Sequence, residues 1–396
     1  MILDRARLKI AAATRHLPKY TCAETIDRSY FTRVSPGAAS LCDQSSSDAA
    51  KARASLRLQA IDRVRLDVSQ GDGSQIHSWP GAGRLEPVEI DRLITRGPAG
   101  TGGFGGYLID IFGNEGTQFD FQNERSDSGR RVFTYGYRVT GEVSHYQIGA
   151  GDGWVTTPYD GTFDLNVDSL ELLRLTVVTP ALPAETGLCE ARSTLDYTPI
   201  RIGSGEFLLP RQSALRLEAR GVPQPGERSE YLVTESASAF TNCREYLADA
   251  APPAVPNPSS PLVLPTGVHV TLRLDAAIDS DIAAMGDPVT ATLLNSVHAG
   301  ATVHGRISRM EQWRGSSSML IVGIHWDSIS LGGDSAPLAA LIFGQTFSGP
   351  TLGRVGNRPA APNIPEIFSF PTGAKRYVIP AGYKSQWITV QPQESK

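Results

Sequence analysis

The period of its apolar residues constrains this chain more than any other feature. Val64-Arg65-Leu66-Asp67-Val68 alternates apolar and charged without a break, and a period of two belongs to a strand that buries one face. The pattern recurs. Phe133, Tyr135, Tyr137 and Val139 share a face, a turn is expected at Thr140-Gly141, and the segment continues through Val143 to Ile148, so 131–148 reads as a hairpin. Tyr159-Asp160-Gly161-Thr162-Phe163 leads through a polar turn near Asp168-Ser169 into Leu173, Leu175 and Val177, a second hairpin. Further strands are expected over 192–202, 205–220 and 230–240. Closely spaced strands with short turns make an antiparallel meander, not βαβ units. With 39 Gly, 27 Pro and only 20% charged residues, turns are plentiful and long solvated helices scarce.

Two segments break that period. Residues 4–16 place Ala6, Ile10, Ala13 and Leu17 at near-helical spacing and end at Pro18. In 101–113, Phe104, Leu108, Ile111 and Phe112 fall at i, i+4, i+7 and i+8, one apolar helical stripe opened by glycines. A meander interrupted by such a helix predicts a curved sheet with the helix in its concavity. Residues 250–265 hold six prolines and no charge, the composition of an extended, semi-rigid linker. They divide the chain into 1–249 and 266–396. Beyond the linker, Val268, Val270, Leu272 and Leu274 alternate with His269, Thr271 and Arg273, and Val289, Ala291 and Leu293 repeat the pattern. Residues 263–267 and 378–382 share a hydrophobic-Pro-x-Gly turn, so a small closed barrel is expected there, with a long Pro/Gly-rich loop at 347–374.

Several chemistries find little support. No apolar run reaches the roughly 18 residues of a membrane helix, and a net charge of −4 lacks the basic excess of nucleic-acid binders. Gly100-Thr101-Gly102-Gly103-Phe104-Gly105 fits the dinucleotide fingerprint in letters, but no strand precedes it and no βαβ unit surrounds it. The histidines form neither HExxH nor HxxxH; His298 and His304 are the one pair that a turn would bring together. Ser316-Ser317-Ser318 is no nucleophile elbow. Asp160, Asp164, Asp168 and Asp196 are close enough in sequence to keep a carboxylate hydrolase open as an alternative. Aromatic residues Phe133, Tyr135, Tyr137, Tyr159 and Phe163 read as core. No cofactor is implied.

The start of the chain has no basic segment followed by an apolar stretch, so no signal peptide is visible. The four cysteines point the other way. None lies in a CxxC pair, and an even count without metal spacing suits two disulfides in an oxidising compartment, with four buried thiols as the alternative. Cys22–Cys42 and Cys189–Cys243 are the expected bonds, because each closes a loop without crossing the fold.

Residues 17–28 (Leu17-Pro18-Lys19-Tyr20-Thr21-Cys22 onward), Ser78-Trp79-Pro80-Gly81, Phe104-Gly105-Gly106-Tyr107-Leu108, Tyr159-Asp160-Gly161-Thr162-Phe163 and Phe207-Leu208-Leu209-Pro210 resemble exported proteins of soil bacteria, notably acidobacterial ones. Those proteins are similar to the periplasmic Lol lipoprotein carriers. Leu264-Pro265-Thr266-Gly267 through Gly300-Ala301-Thr302-Val303-His304-Gly305-Arg306 resembles small β-domains of envelope proteins, including the C-terminal barrel of conjugative secretion channels. The resemblance implies a mainly β fold, an antiparallel unclosed half-barrel with a few helices followed by a small β-barrel. It also implies a periplasmic or extracellular, non-enzymatic protein. Its ligand would be a lipid or lipoprotein acyl chain, held by Phe104, Tyr107, Leu108, Ile111, Phe112, Phe133, Tyr135 and Tyr137, and its C-terminal domain would contact an envelope partner. A structural module with a filled core stays open beside it.

Overall fold

In the computed structural model, the described residues are 2–15, 20–33, 55–70, 75–81, 106–150, 153–179, 182, 186, 188–219, 233–245, 260–314, 318–343, 367–371 and 376–392. They are mainly strand. The first half runs α1 (Ile2–Arg15), β1 (Tyr20–Arg33), β2 (Leu56–Gln70), β3 (Gln75–Ser78), α2 (Gly106–Gly113), β4 (Gln118–Asp127), β5 (Arg130–Val139), β6 (Gln147–Ala150), β7 (Gly153–Thr156), β8 (Tyr159–Asn166), β9 (Leu172–Thr179), β10 (Leu188–Ile202), β11 (Gly205–Ala219) and β12 (Val233–Glu245). The second half runs β13 (His269–Leu274), β14 (Ile278–Asp279), β15 (Pro288–Leu293), β16 (Thr302–Arg314), β17 (Ser318–Leu331), β18 (Asp334–Pro337), β19 (Ala339–Ile342), β20 (Ile367–Pro371), β21 (Val378–Ile379) and β22 (Lys384–Val390).

The first half is an open antiparallel sheet in the order β4-β5-β8-β9-β10-β11-β12-β1-β2. Its two ends differ. Among the described residues β4 pairs only with β5, so its outer edge is open. The far edge of β2 is covered from residue 60 onward: β16 pairs with 60–62, Met285 exchanges backbone hydrogen bonds with Arg63 and Arg65, and β3 pairs with 67–70. Helices α1 and α2 pack on one face through Ala6, Ile10, Tyr107, Leu108, Ile111 and Phe112, which share a core with strand residues from β5 to β11.

In the second half the pairings β16-β15-β13-β22-β19 and β16-β17-β18 meet, because β18 and β19 follow one another across the buried Leu338. The path closes on itself around an apolar core. The two similar turns explain their likeness here: Gly267 and Gly382 both take φ 85°, and the strands they feed, β13 and β22, are paired. Residues 250–259 lie outside the described residues, while Ser260–Val263 form a turn that buries Leu262 in the barrel core. Of 347–374, Ile367–Pro371 form β20 against β17 and the rest lies outside the described residues.

Two expectations are corrected. Residues 131–148 are not one hairpin. β5 pairs with β4 and β8, and after it the chain turns, with the amides of Val143 and Ser144 bonding to the carbonyl of Thr140. Gln147–Ala150 then pair with β7 in a separate ribbon. The second correction concerns the cysteines: Cys22 is bonded to Cys243, 221 residues away. β1 and β12 are neighbours in the sheet, so strand order, not loop length, brings these residues together. Cys189 is disulfide-bonded as well, and Cys42 lies outside the described residues.

Candidate functional site

Helix α2 has eight residues, and five of them, Tyr107, Leu108, Asp110, Ile111 and Phe112, are buried. A helix this short is marginal alone, so packing must hold it. Apolar side chains supply most of that packing, and one carboxylate supplies direction. Asp110 Oδ2 accepts from the His145 amide at 2.9 Å and from Tyr159 Oη at 3.3 Å, and its Oδ1 lies 2.7 Å from His145 Nδ1. The buried charge is therefore satisfied, and it fixes the helix to the segment between β5 and β8.

The sheet presents its inner face in cross-strand rows. Phe121, Tyr135, Phe163, Leu175 and Leu195 sit opposite one another on β4, β5, β8, β9 and β10. A neighbouring row is Phe119, Tyr137, Gly161, Val177 and Ser193. The glycine has a steric cause: a Cβ at Gly161 would stand 1.9 Å from the Thr176 carbonyl oxygen, which accepts from Tyr137 Oη at 2.6 Å. Over the rows, the rings of Tyr107, Tyr146 and Tyr159 form a triangle with centroids 5.4–5.8 Å apart. Burial pushes the Tyr146 hydroxyl up to about 12 and those of Tyr107, Tyr137, Tyr159 and Tyr197 higher still, so all stay neutral. Tyr197 Oη is buried without a hydrogen-bond partner.

Of the residues expected at the site, Tyr107, Leu108, Ile111, Phe112, Tyr135 and Tyr137 lie in one cluster and Phe133 packs half-buried against it. Phe104 lies outside the described residues. Sequence reasoning did not nominate Tyr146, Tyr197, Asp110 or Phe121. Asp110 was visible as the one charge inside an apolar helix; the others follow only from register.

A second inner stripe runs along β1: Tyr20, Cys22, Glu24, Ile26, Arg28 and Tyr30 are all buried. Arg28 forks onto Asp62 at 2.7 and 2.6 Å, and Tyr30 Oη adds 3.0 Å to the same carboxylate. Glu24 is treated differently. His77 Nε2 lies 3.9 Å from its Oε2, yet burial favours the neutral form of both, lifting Glu24 to about 7 and lowering His77 to about 4. His77 Nδ1 has no partner.

Of the four aspartates, Asp164 and Asp196 flank Arg174 in one cross-strand row, and each is held by an arginine. Asp164 is clamped by Arg125 and Thr134; burial pushes its carboxyl up, but those hydrogen bonds outweigh it and hold it below the ordinary value. Asp196 is bonded to Arg174. His304 bonds to Ser330, and among the described residues no group of three His, Cys, Asp or Glu side chains is placed to hold a metal. No described helix is long and apolar enough to cross a membrane.

No protein-family model and no curated protein matches the chain. Among solved structures, a LolA superfamily protein from Nitrosomonas europaea matches at 9% identity and a TM-score of 0.28, over 61% of this chain and 93% of that one. An outer membrane lipoprotein-sorting protein domain from Vibrio parahaemolyticus matches at 11% identity and a TM-score of 0.31, over 61% and 91%. The structural resemblance to the LolA superfamily is distant.

Proposed function

We propose that this protein is a non-enzymatic carrier of the cell envelope, periplasmic or extracellular, that takes an apolar chain, from a lipid or a lipoprotein, between α2 and the inner face of the open sheet. One observation carries this reading: a helix of eight residues, five of them buried, lies over aromatic rows on a sheet left unclosed at β4. Such a helix is held by side chains that a ligand's methylene groups can replace. The Cys22–Cys243 bond supports an oxidising compartment. The closed barrel is the part assigned to an envelope partner.

The edge-to-face packing of Phe112 on Phe163 at 5.1 Å and of Tyr107 on Tyr159 favours a second reading, a structural module whose core is already full. Leu108→Ala separates the two. In a filled core it costs about 2–5 kcal/mol. In a carrier it costs less and changes the uptake of a fluorescent fatty acid, measured by titration beside urea unfolding. A wild type that takes up no probe, together with the larger loss, removes the carrier.

A further inference from the structure

The row Phe121–Tyr135–Phe163–Leu175–Leu195 is graded. Phe121 at the open edge is 56% exposed, Tyr135 is 7%, Phe163 is 1%, and Leu175 and Leu195 are fully buried. Contact is unbroken along its aromatic part: ring centroids are 5.6 Å apart from Phe121 to Tyr135, 5.3 Å from Tyr135 to Phe163, and 5.1 Å from Phe163 to Phe112 on α2. Phe133 flanks the first step at 5.3 Å from Phe121.

Nothing in the architecture requires a phenylalanine at the first position. β4 is otherwise the polar, charged strand expected of a guarded sheet edge, carrying Asp120, Glu124, Arg125 and Asp127. Phe119 and Phe121 are its two apolar residues; Phe119 packs on the core and Phe121 projects from the same face into solvent. An exposed aromatic ring at an edge protected against association is a cost to solubility, and continuity with a buried apolar row gives it a use.

We propose that Phe121, backed by Phe133 and Tyr135, is where a linear alkyl chain first meets this protein, and that the chain passes along the row towards Phe163 and Phe112 under α2. This rests on the carrier reading above. The class of ligand follows from the shape of the row. Phe121 and Tyr135 meet at 74° whereas Tyr135 and Phe163 are within 20° of parallel, so the surface is stepped. A flexible chain follows steps that a rigid fused-ring plate bridges with gaps. The charges beside it are already engaged, Arg125 by Asp164 and Arg131 by Glu124, so the row selects for the chain and not for a particular head group.

The test follows uptake of cis-parinaric acid by the full-length protein in stopped flow. Phe121→Ala, at an exposed position that leaves the core intact, is expected to slow association about fivefold, the equivalent of one lost apolar contact. Val297→Ala, on an exposed barrel turn, should leave the rate unchanged. Phe121→Trp should keep the wild-type rate and gain a fluorescence signal that 9,10-dibromostearate quenches. If the wild type takes up the acid and Phe121→Ala does so at the same rate, access lies elsewhere and only this proposal falls. If the wild type takes up no acid, the carrier reading falls first.

Discussion

The two cores of this molecule are built on different terms. The barrel core is aliphatic around Trp326 and Trp387, whose rings meet edge to face at 5.5 Å, and its strands close on themselves. The core of the open sheet is tyrosine-rich and holds the Asp110 carboxylate, and separate buried clusters along β1 stand beside the buried Glu24 and Arg28. In the barrel β13, β15, β16, β17 and β22 each pair with a strand on either side. An open sheet must instead staple or cover its strands, and here it also admits polar groups that need individual partners. Barrel strand β16 also buries a charged pair, Arg309 and Glu311, so stability should depend on conditions most in the sheet and, within the barrel, at β16.

The largest test concerns the staple. Cys22–Cys243 spans 221 residues, so in the chain-entropy model its loss costs about 5 kcal/mol. Replacing both cysteines by serine should lower the unfolding free energy read by a sheet probe in urea by that much, with a barrel Trp signal less affected. Equal loss in both signals would show one cooperative unit, a result the shared β2–β16 pairing and the Arg65–Asp287 contact make physically reasonable.

That bond also marks where sequence reading stops. The strands of β8–β12 and the stripe on α2 were legible because their periods are clean. β1 was not, since its inner stripe mixes Tyr20, Cys22, Ile26 and Tyr30 with Glu24 and Arg28, and a buried charge looks like a solvent-facing one until its partner is known. β4 was hidden for the opposite reason: its exposed edge has almost no apolar residues to reveal a period. The expected 131–148 hairpin failed because adjacency in sequence competes with β4 and β8 for β5, and no local signal decides that contest. Cys22 and Cys243 meet only through the order of strands. At the site, the ring-bearing residues of β5 were found by alternation, whereas Phe121 and Tyr197 needed the register.

The next effect is one of pH. Glu24, raised from 4.5 to about 7, contributes stability that is whole below pH 4.5 and is lost as pH rises through 7. His77, lowered from 6.5 to about 4, contributes stability that is whole above pH 6.5 and is lost as pH falls through 4. Each is worth about 3 kcal/mol, and between pH 4.5 and 6.5 their slopes cancel. Single variants should expose them with opposite signs: His77→Gln loses stability from pH 4.5 to 7, and Glu24→Gln gains it from pH 4 to 6.5, both read by urea unfolding at each pH. Parallel curves for the two variants would mean that the groups form an ion pair and that the sheet carries no such pH dependence.

The smallest effect compares one buried polar atom without a hydrogen-bond partner from each core: Tyr197 Oη in the sheet and Trp326 Nε1 in the barrel. Removing an unpaired buried donor recovers its desolvation penalty when the shape is kept. Tyr197→Phe keeps the ring and deletes only the hydroxyl, so it should stabilise by about 1 kcal/mol. Trp326→Phe also deletes the unpaired N–H, but it removes half of an indole from a closed and fully packed core, and the void costs more than the hydrogen bond returns. A loss of about 1–2 kcal/mol is expected, measured by the same urea unfolding. If Tyr197→Phe destabilises instead, the hydroxyl has a partner such as ordered water. The contrast would then sharpen, with the sheet's Tyr197 hydroxyl satisfied and the barrel's Trp326 N–H left unpaired.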